Sequence, residues 1–370
     1  MASLSDSSGR VNVVVIGGGI GGLAAAAQLV RHGLACRVLE SQDRVGGRLL
    51  SHASAAGRFD LGATWYWPGE TRVAALVENL QVATHLQHRS GDAMYHAAGG
   101  GRRMEGNPID VASGRFSYGA SSLAEGLANR LGGDVSLGTR VHRIEQSGTD
   151  FTVSHSAGTV SAPHVILALP PSLAVQTIEF KPAMPDDVRA LAAATPVWMG
   201  TVAKAVIVYA AAFWRHQGLA GAAISHIGPL RELHDMSGPD GVPAALFGFA
   251  PLAPGEPTPS ERDIVDQLVD IFGPDAATPL EVVVKDWRHD INTVPPLPVT
   301  GSPMETYGHP RFQQPFADGR IHWASTETAL SAPGHIEGAL AAAERAVRAI
   351  TIQAASSSAA TAQLHRGDTR

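Results

Sequence analysis

Residues 11–16 (VNVVVI) form a short apolar, β-branched run without polar alternation, which predicts a strand buried on both faces of a parallel sheet. The run stops at Gly17, Gly18, Gly19, Gly21 and Gly22. Behind them LAAAAQLVRHG predicts a helix whose small alanines allow close packing and whose end is marked by Gly33. A second strand, CRVLE, closes at Glu40, completing a β-turn-α-β unit. Helices are expected over 71–80 and 121–131, bracketing a loop rich in Gly and Arg over 99–103 to which no chemistry is assigned. Further strands are predicted at 164–169 (HVILAL, stopped by Pro170 and Pro171), 201–209 (TVAKAVIVY), 281–285 and 320–324 (RIHWA). A Pro-rich loop covers 294–303. An Ala-rich helix is expected from about His335 toward Ile352, followed by a tail without apolar periodicity.

Within 201–209 the period of two sets Val202, Lys204, Val206 and Val208 on one face, so a lysine shares its face with three valines. Either its ammonium snorkels to solvent or an interior polar pocket holds it.

Composition narrows the classes. The 370 residues are 44% hydrophobic and 17% charged, with 40 Gly and 24 Pro, which describes an ordered, turn-rich globular chain. A net charge of −6, with no long Lys/Arg cluster, argues against a nucleic-acid partner. The one cysteine, Cys36, cannot make an internal disulfide and sits in an apolar run as a small core residue. No secretory signal pattern opens the chain and no apolar stretch is long enough to span a bilayer, so a cytoplasmic protein without a membrane partner is expected. The 16 histidines form only loose pairs such as His85 and His88, so no metal is expected, and no G-x-S-x-G or Cys/His nucleophile pattern occurs.

Gly17, Gly19 and Gly22 spell G-x-G-x-x-G between a predicted strand and a predicted helix, with Glu40 lying 18 positions past the last glycine. The first glycine permits the tight turn, the second lets the backbone approach a pyrophosphate, and the third lets helix and sheet pack closely. Helix N–H groups, including that of Ile20, favour the phosphate charge. Glu40 can accept from ribose hydroxyls and would repel a 2′-phosphate, which disfavours NADP.

Four residues after Glu40, Arg44-Val45-Gly46-Gly47-Arg48 resembles the glycine/arginine continuation of the flavin monoamine oxidases and related FAD oxidoreductases. The resemblance extends from Val11 to about Arg348, with the intervening cap recognisable only in patches. Phe59-Asp60-Leu61-Gly62-Ala63-Thr64-Trp65 looks like the segment beside the flavin ring, and Val141 in TRVHRI resembles the strand residue that meets the adenine. ASTETA (324–329) followed by Gly334-His335-Ile336-Glu337-Gly338 is similar to the C-terminal flavin segment. The resemblance implies FAD as cofactor, held by Gly17, Gly19, Ile20, Gly22, Glu40, Arg48, Gly62, Ala63, Thr64, Trp65, Val141, Trp287, Ser325, Thr326 and Ile336. It also implies that Lys204 holds a water against flavin N5. Amide groups at the start of the last helix would stabilise negative charge at the pyrimidine end of the flavin, by roughly 0.3 to 2 kcal/mol.

The reaction implied is removal of a hydride equivalent from the carbon bearing an amine, with O2 reoxidising the flavin to give hydrogen peroxide. The substrate would be a small primary or secondary amine, oriented by Trp65, Tyr66 and His335; Trp287 and Trp323 are further aromatic candidates. Departures are also plain. His335 stands where the family often has an aromatic ring, and 293–298 (TVPPLP) supplies neither a second ring nor a cysteine, so FAD should be noncovalent. Ser325 and Gln42 replace a common glycine and arginine. An imidazole at 335 could act as base or acid near neutral pH, or be a hydrogen-bonded bystander. A flavin desaturase or cyclase, or a noncatalytic FAD-bound scaffold, remains an alternative. The expected fold class is α/β. A discontinuous Rossmann-like FAD-binding domain (1–80, 119–175, 285–352) would carry a mixed α/β cap (81–118, 176–284) and a flexible tail (353–370), in a monomer or homodimer.

Overall fold

A computed structural model describes residues 10–297, 299 and 301–367. The first nine residues, on which the reading of the N-terminus rests, lie outside it, as do Pro298 and Thr300 of the Pro-rich loop and the last three residues of the tail. The chain folds into two compact units, one of Met1–Gly47, Ala124–Pro196 and Pro295–Arg370, the other of Arg48–Leu123 and Val197–Val294.

In the first unit, strand β1 (Val13–Ile16), helix α1 (Ile20–Arg31) and strand β2 (Cys36–Leu39) form the predicted β-turn-α-β unit. Among the described residues the sheet is all parallel, in the order Val135–Ser136, β2, β1, His164–Leu167, Ile321–Trp323. All four residues of β1 are buried, as a continuous apolar run requires when both faces are covered: Val14 and Ile16 share a core with Ile144, Phe151 and Val153, and α1 also packs on the strand. A second, four-stranded sheet pairs Val141–Ser147 with Asp150–His155 and Glu179–Lys181. The closing helix, Ile336–Gly367, packs along α1. It runs beyond the expected stop at Ile352, because the alanines after it favour helix without needing an apolar stripe.

The second unit is built on a mixed seven-stranded sheet. Strand β3 (Val202–Tyr209) lies antiparallel to both β4 (Ala244–Pro251) and Glu281–Asp286. Helix α2 (Glu261–Phe272) covers one face, where Ile264 and Leu268 share a core with Ala203, Ala205 and Ile207. The other face of β3 gives Val206 and Val208 to a core with Phe59, Leu61 and Phe247. Helices Thr71–Leu80 and Ser121–Leu131 fall where expected. The predicted loop over 99–103 is instead strand Gly100–Met104, hairpinned onto Asp92–Ala97, with the Arg102 guanidinium 5.0 Å above the Tyr95 ring.

The division into units also falls elsewhere than expected, at 47/48, 123/124, 196/197 and 294/295, so that 285–294 with Trp287 group with the second unit. Residues 48–80 group with the second unit because the Leu50 carbonyl accepts from the Leu61 and Gly62 amides and the Arg48 carbonyl from that of Ala63, beneath β3. Residues 176–196 stay with the first, since Val188 and Ala192 of helix Asp186–Ala194 are buried in its core. Cys36 is a core residue whose thiol burial pushes up to about 12. No described helix is long and apolar enough to cross a membrane.

Candidate active site

In the first unit the glycine turn is a backbone cradle. Gly17 holds a φ of +105°, and a Cβ on Gly22 would fall 2.0 Å from the Gly17 carbonyl oxygen, so the turn and the first turn of α1 close only without side chains there. Gly19 is different: a Cβ on it would meet only the Gly46 oxygen, at 3.9 Å. Space therefore remains at the one glycine whose backbone should face a pyrophosphate. Gly19 caps α1 without a side-chain bond, and the first turn, which starts at Ile20, holds no acidic residue. Its N–H groups and the helix dipole are thus left for an anion.

Glu40 is 5% exposed. Its Oε2 accepts from the Gly18 amide at 2.6 Å and its Oε1 from the Gln42 amide at 2.7 Å. These bonds fix the carboxylate beside the cradle; Ser41 Oγ also donates to Oε1, at 3.3 Å, so Oε2 is the oxygen that keeps a lone pair for a further hydroxyl donor. The second glycine pair locks onto the first, the Gly46 amide donating to Gly18 oxygen at 2.9 Å. Val141 is buried at the start of its strand.

The C-terminal segment meets this cradle. A Cβ on Gly21 would lie 2.7 Å from the Ala324 oxygen and 3.3 Å from that of Ala339 in the closing helix. Ser325, next in line, is buried with its hydroxyl lacking a partner among the described residues, an orphan that a bound cofactor would satisfy. Thr326 Oγ1 donates to the His335 oxygen and accepts from the Gly334 amide, both at 2.8 Å, and so shapes the entry to the closing helix at Ile336. His335 itself is exposed. Unlike α1, the closing helix has an acidic residue, Glu337, in its first turn, so less of its dipole is left for a flavin. Arg345, which the sequence left unremarked, fixes this turn by donating to the Trp323 oxygen at 2.8 Å and the Thr328 oxygen at 3.0 Å. The open glycine, the uncapped helix, the anchored Glu40 and the orphan hydroxyl together fit FAD.

In the second unit Lys204 is 2% exposed. It does not snorkel: Nζ donates to the Gly62 oxygen at 2.6 Å, with the Phe249, Phe247 and Trp198 rings centred 4.9, 5.6 and 5.6 Å away. Ring faces attract an ammonium by about 0.5–2 kcal/mol each, which offsets only part of its desolvation. Burial accordingly lowers Lys204 to about 7, opposed by the charge of Asp60. Asp60, fully buried, is itself pushed up to about 6, although it accepts from Ser51 Oγ at 2.5 Å and the Ala120 amide at 2.8 Å.

The segment that holds Lys204 is in turn held. A Cβ on Gly62 would sit 2.0 Å from the Arg48 oxygen, Ala63 donates its amide to that oxygen, and Thr64 Oγ1 donates back to Gly62. Trp287 is 0% exposed and gives its indole N–H to the Leu61 oxygen at 2.8 Å. It buttresses residues 61–62 from the core rather than presenting an open ring, and Trp323 is likewise packed against Phe312 and Phe316 in the first unit. Trp65 is half-buried, edge-on to His234 and Phe247, with its N–H on Gln87 Oε1 at 2.8 Å. Tyr66 packs on Phe116.

Asp60, Phe247, Phe249, Gln87 and His234 received no role from sequence reasoning. Only Phe247-Gly248-Phe249 carried a readable signal, since the period of two places both rings on the face of β4 beside Lys204. Trp214 and Arg215 serve structure: both donate to buried Asp235, at 2.8 and 2.7 Å.

Known proteins resemble the chain along most of its length. It is 28% identical to a Mycobacterium tuberculosis protein described as a flavin-containing monoamine oxidase, AofH, over 91% of this chain and 95% of that one. Amine oxidase B of Sus scrofa is 25% identical over 93% and 86%. Among solved structures, putrescine oxidase bound to putrescine superposes with a TM-score of 0.82 at 21% identity, covering 93% of this chain and 99% of that one. Cyclohexylamine oxidase from Brevibacterium oxydans gives 0.81 at 23%, with the same coverage. Residues 15–80 match the NAD(P)-binding Rossmann-like domain and residues 111–351 the flavin containing amine oxidoreductases. With a glycine cradle that fits FAD and a family match across most of its length, the chain belongs to the flavin containing amine oxidoreductase family and is an FAD-dependent oxidoreductase.

Proposed function

We propose that this protein oxidises a small primary or secondary amine and passes the electrons to O2. FAD, when bound, accepts a hydride equivalent at N5 from the carbon bearing the amine, and its reoxidation by O2 yields hydrogen peroxide. The observation that carries this reading is Lys204: a buried ammonium on the Gly62 carbonyl, among three aromatic rings, at the position that the family resemblance assigns to the flavin N5 water.

In this reading the amides at the start of α1, with Gly17, Gly19, Ile20 and Gly22, hold the pyrophosphate, and Arg48 adds a cation. Glu40 accepts from the ribose, and the Val141 backbone meets the adenine. Gly62, Ala63, Thr64 and Trp65 line the flavin, with Trp287 behind them, and Ser325, Thr326 and Ile336 meet it from the C-terminal segment. Cys36, the only cysteine, is buried with a raised thiol pKa, so FAD is held without a covalent bond to sulfur. Trp65, Tyr66 and the phenylalanines beside them disfavour an ammonium and so favour the neutral, reactive amine. His335, exposed at the helix start, takes the proton that the substrate sheds. Lys204 keeps its proton at Nζ below about pH 7, supplying positive charge for the oxygen step and orienting the water that hydrolyses the imine.

Putrescine oxidase and cyclohexylamine oxidase share the fold, which makes aliphatic amines the first class to test. The experiment is aerobic turnover of an amine panel by purified holoenzyme. The expected result is hydrogen peroxide and carbonyl product in equal amounts. Flavin-containing protein that produces neither with any amine overturns the proposal.

A further inference from the structure

Asp60 carries a buried negative charge that its hydrogen bonds do not require. It lies 1% exposed at the end of the strand Gly57–Asp60. Ser51 Oγ donates to it at 2.5 Å and the Ala120 amide at 2.8 Å, and both bonds end on one oxygen, Oδ1. Gly119, at a φ of +77°, keeps that approach open, since a Cβ there would fall 3.0 Å from Oδ1. Such an anchor asks for a single acceptor, which the neutral amide of an asparagine supplies as well as a carboxylate does. A carboxylate in the core is costly unless a cation answers it.

The cations around it narrow to one. Buried Arg115 turns its guanidinium to the Ser237 and Asp235 oxygens, at 3.2 and 3.4 Å, and to Met236 Sδ at 2.5 Å. Arg58, on the Asp60 face of its strand, donates to Ser121 Oγ at 2.8 Å. Lys285, opposite Lys204 on the neighbouring strand, pairs with Asp290 at 2.9 Å, and His234, beside Phe247 and Phe249, pairs with Asp110 at 2.7 Å. Lys204 instead bonds the Gly62 oxygen, two residues along the chain from Asp60. Two residues span at most roughly 7 Å, which sets the ammonium and the carboxylate on the order of 10 Å apart inside the core. Burial raises the Asp60 carboxyl to about 6, opposed by Ser51, Ala120, Arg115 and Lys204, and lowers Lys204 to about 7, opposed by Asp60. Among 28 basic residues only three are lysines, 181, 204 and 285. An arginine at 204 would keep its charge whatever stood beside it, whereas the charge of a lysine is one that a neighbour can set.

We propose that Asp60 is the counter-ion that holds the charge on Lys204, acting across the segment from Asp60 to Gly62 without touching the lysine. That makes Asp60 a positioning residue for the oxygen step, a role that rests on the reading of Lys204 given above; the hold on Lys204 does not. Once Lys204 sheds its proton, the positive charge that serves the oxygen step is gone and recolouring of reduced flavin slows. Without the Asp60 charge, the same loss comes at lower pH. At this separation the attraction is worth roughly one pH unit.

The test reads the lysine itself. With lysine isotopically labelled at Cε, the FAD-loaded protein gives three side-chain resonances, and Lys204→Met identifies the one from position 204. Asp60→Asn keeps an acceptor for Ser51 and Ala120 and removes only the charge. It should lower the midpoint of the Lys204 titration by about one pH unit and leave that of Lys181 where it is. Ser51→Ala withdraws a donor that favours the ionised acid, so it should move the Lys204 midpoint the same way by a smaller amount. In both variants the pH at which recolouring by oxygen slows should fall in step with the lysine. An unchanged or raised midpoint in Asp60→Asn, or in Ser51→Ala should the first variant not fold, overturns the proposal. A midpoint that falls while the recolouring profile stays in place sinks the assignment of Lys204 to the oxygen step and leaves Asp60 standing as its counter-ion.

Discussion

The two units build their chemistry from different materials. In the first, the groups offered to a nucleotide are backbone amides, glycines and one carboxylate, nearly all within residues 17–40, and their neighbours in space are their neighbours in sequence. In the second, a buried ammonium, a buried carboxylate and aromatic rings come from residues 60, 204, 247 and 249, and only the folded sheet unites them. A backbone site is damaged by adding atoms. A side-chain site is damaged by removing a charge or the partner that holds it.

The contrast is sharpest at Gly22. In Gly22→Val the new Cβ, 2.0 Å from the Gly17 oxygen, forces the turn open at a cost of roughly 3 kcal/mol or more, and FAD should be lost. The ratio of flavin to protein absorbance after purification reports it, and full retention would contradict a backbone cradle. In the second unit Lys204→Met should have the opposite effect on stability. Folding lowers this lysine from 10.5 to about 7, so between those pH values the unfolded chain binds the extra proton and wild-type stability rises with pH. Below about pH 7 the native state carries the full cost of the buried ammonium. The variant should therefore melt above wild type at pH 6, by about 2 to 4 °C for each kcal/mol recovered, and the gap should narrow toward pH 10. A variant that melts lower at pH 6 would mean that the Gly62 bond and the rings outweigh desolvation.

Smaller effects separate cofactor from substrate. Glu40→Ala should weaken FAD about tenfold by removing ribose acceptors and leaving the Gly18 and Gln42 amides unpaired; unchanged affinity in apoprotein titration would remove Glu40 from the site. Gln87→Ala frees the Trp65 indole N–H without touching the glycine turn. It should raise KM for the amine a few-fold with FAD content unchanged, and loss of FAD instead would assign Trp65 to the cofactor.

The same contrast explains what the sequence discloses. The strand, turn, helix and acidic residue of the first unit are legible because a tight turn is a local object with local steric rules, and the structure places β1, α1 and β2 almost where apolar runs and Gly33 put them. Lys204 was legible as an anomaly, a charge among valines, but whether it snorkels depends on a carbonyl 142 residues away. Asp60, Gln87 and Arg345 look like ordinary polar residues until burial makes their partners decisive. The strand at Gly100–Met104 was hidden because its arginines pack over Tyr95 and along the hairpin rather than alternating with apolar residues.

The most direct test of the account follows flavin colour through both half-reactions, first mixing holoenzyme with an aliphatic amine without oxygen and then admitting oxygen, in wild type and in Lys204→Met. The account predicts that the amine bleaches both proteins at similar rates, and that colour returns promptly in wild type but at least tenfold more slowly in the variant. Failure of every amine to bleach the flavin, or equal rates of recolouring in the two proteins, would contradict it.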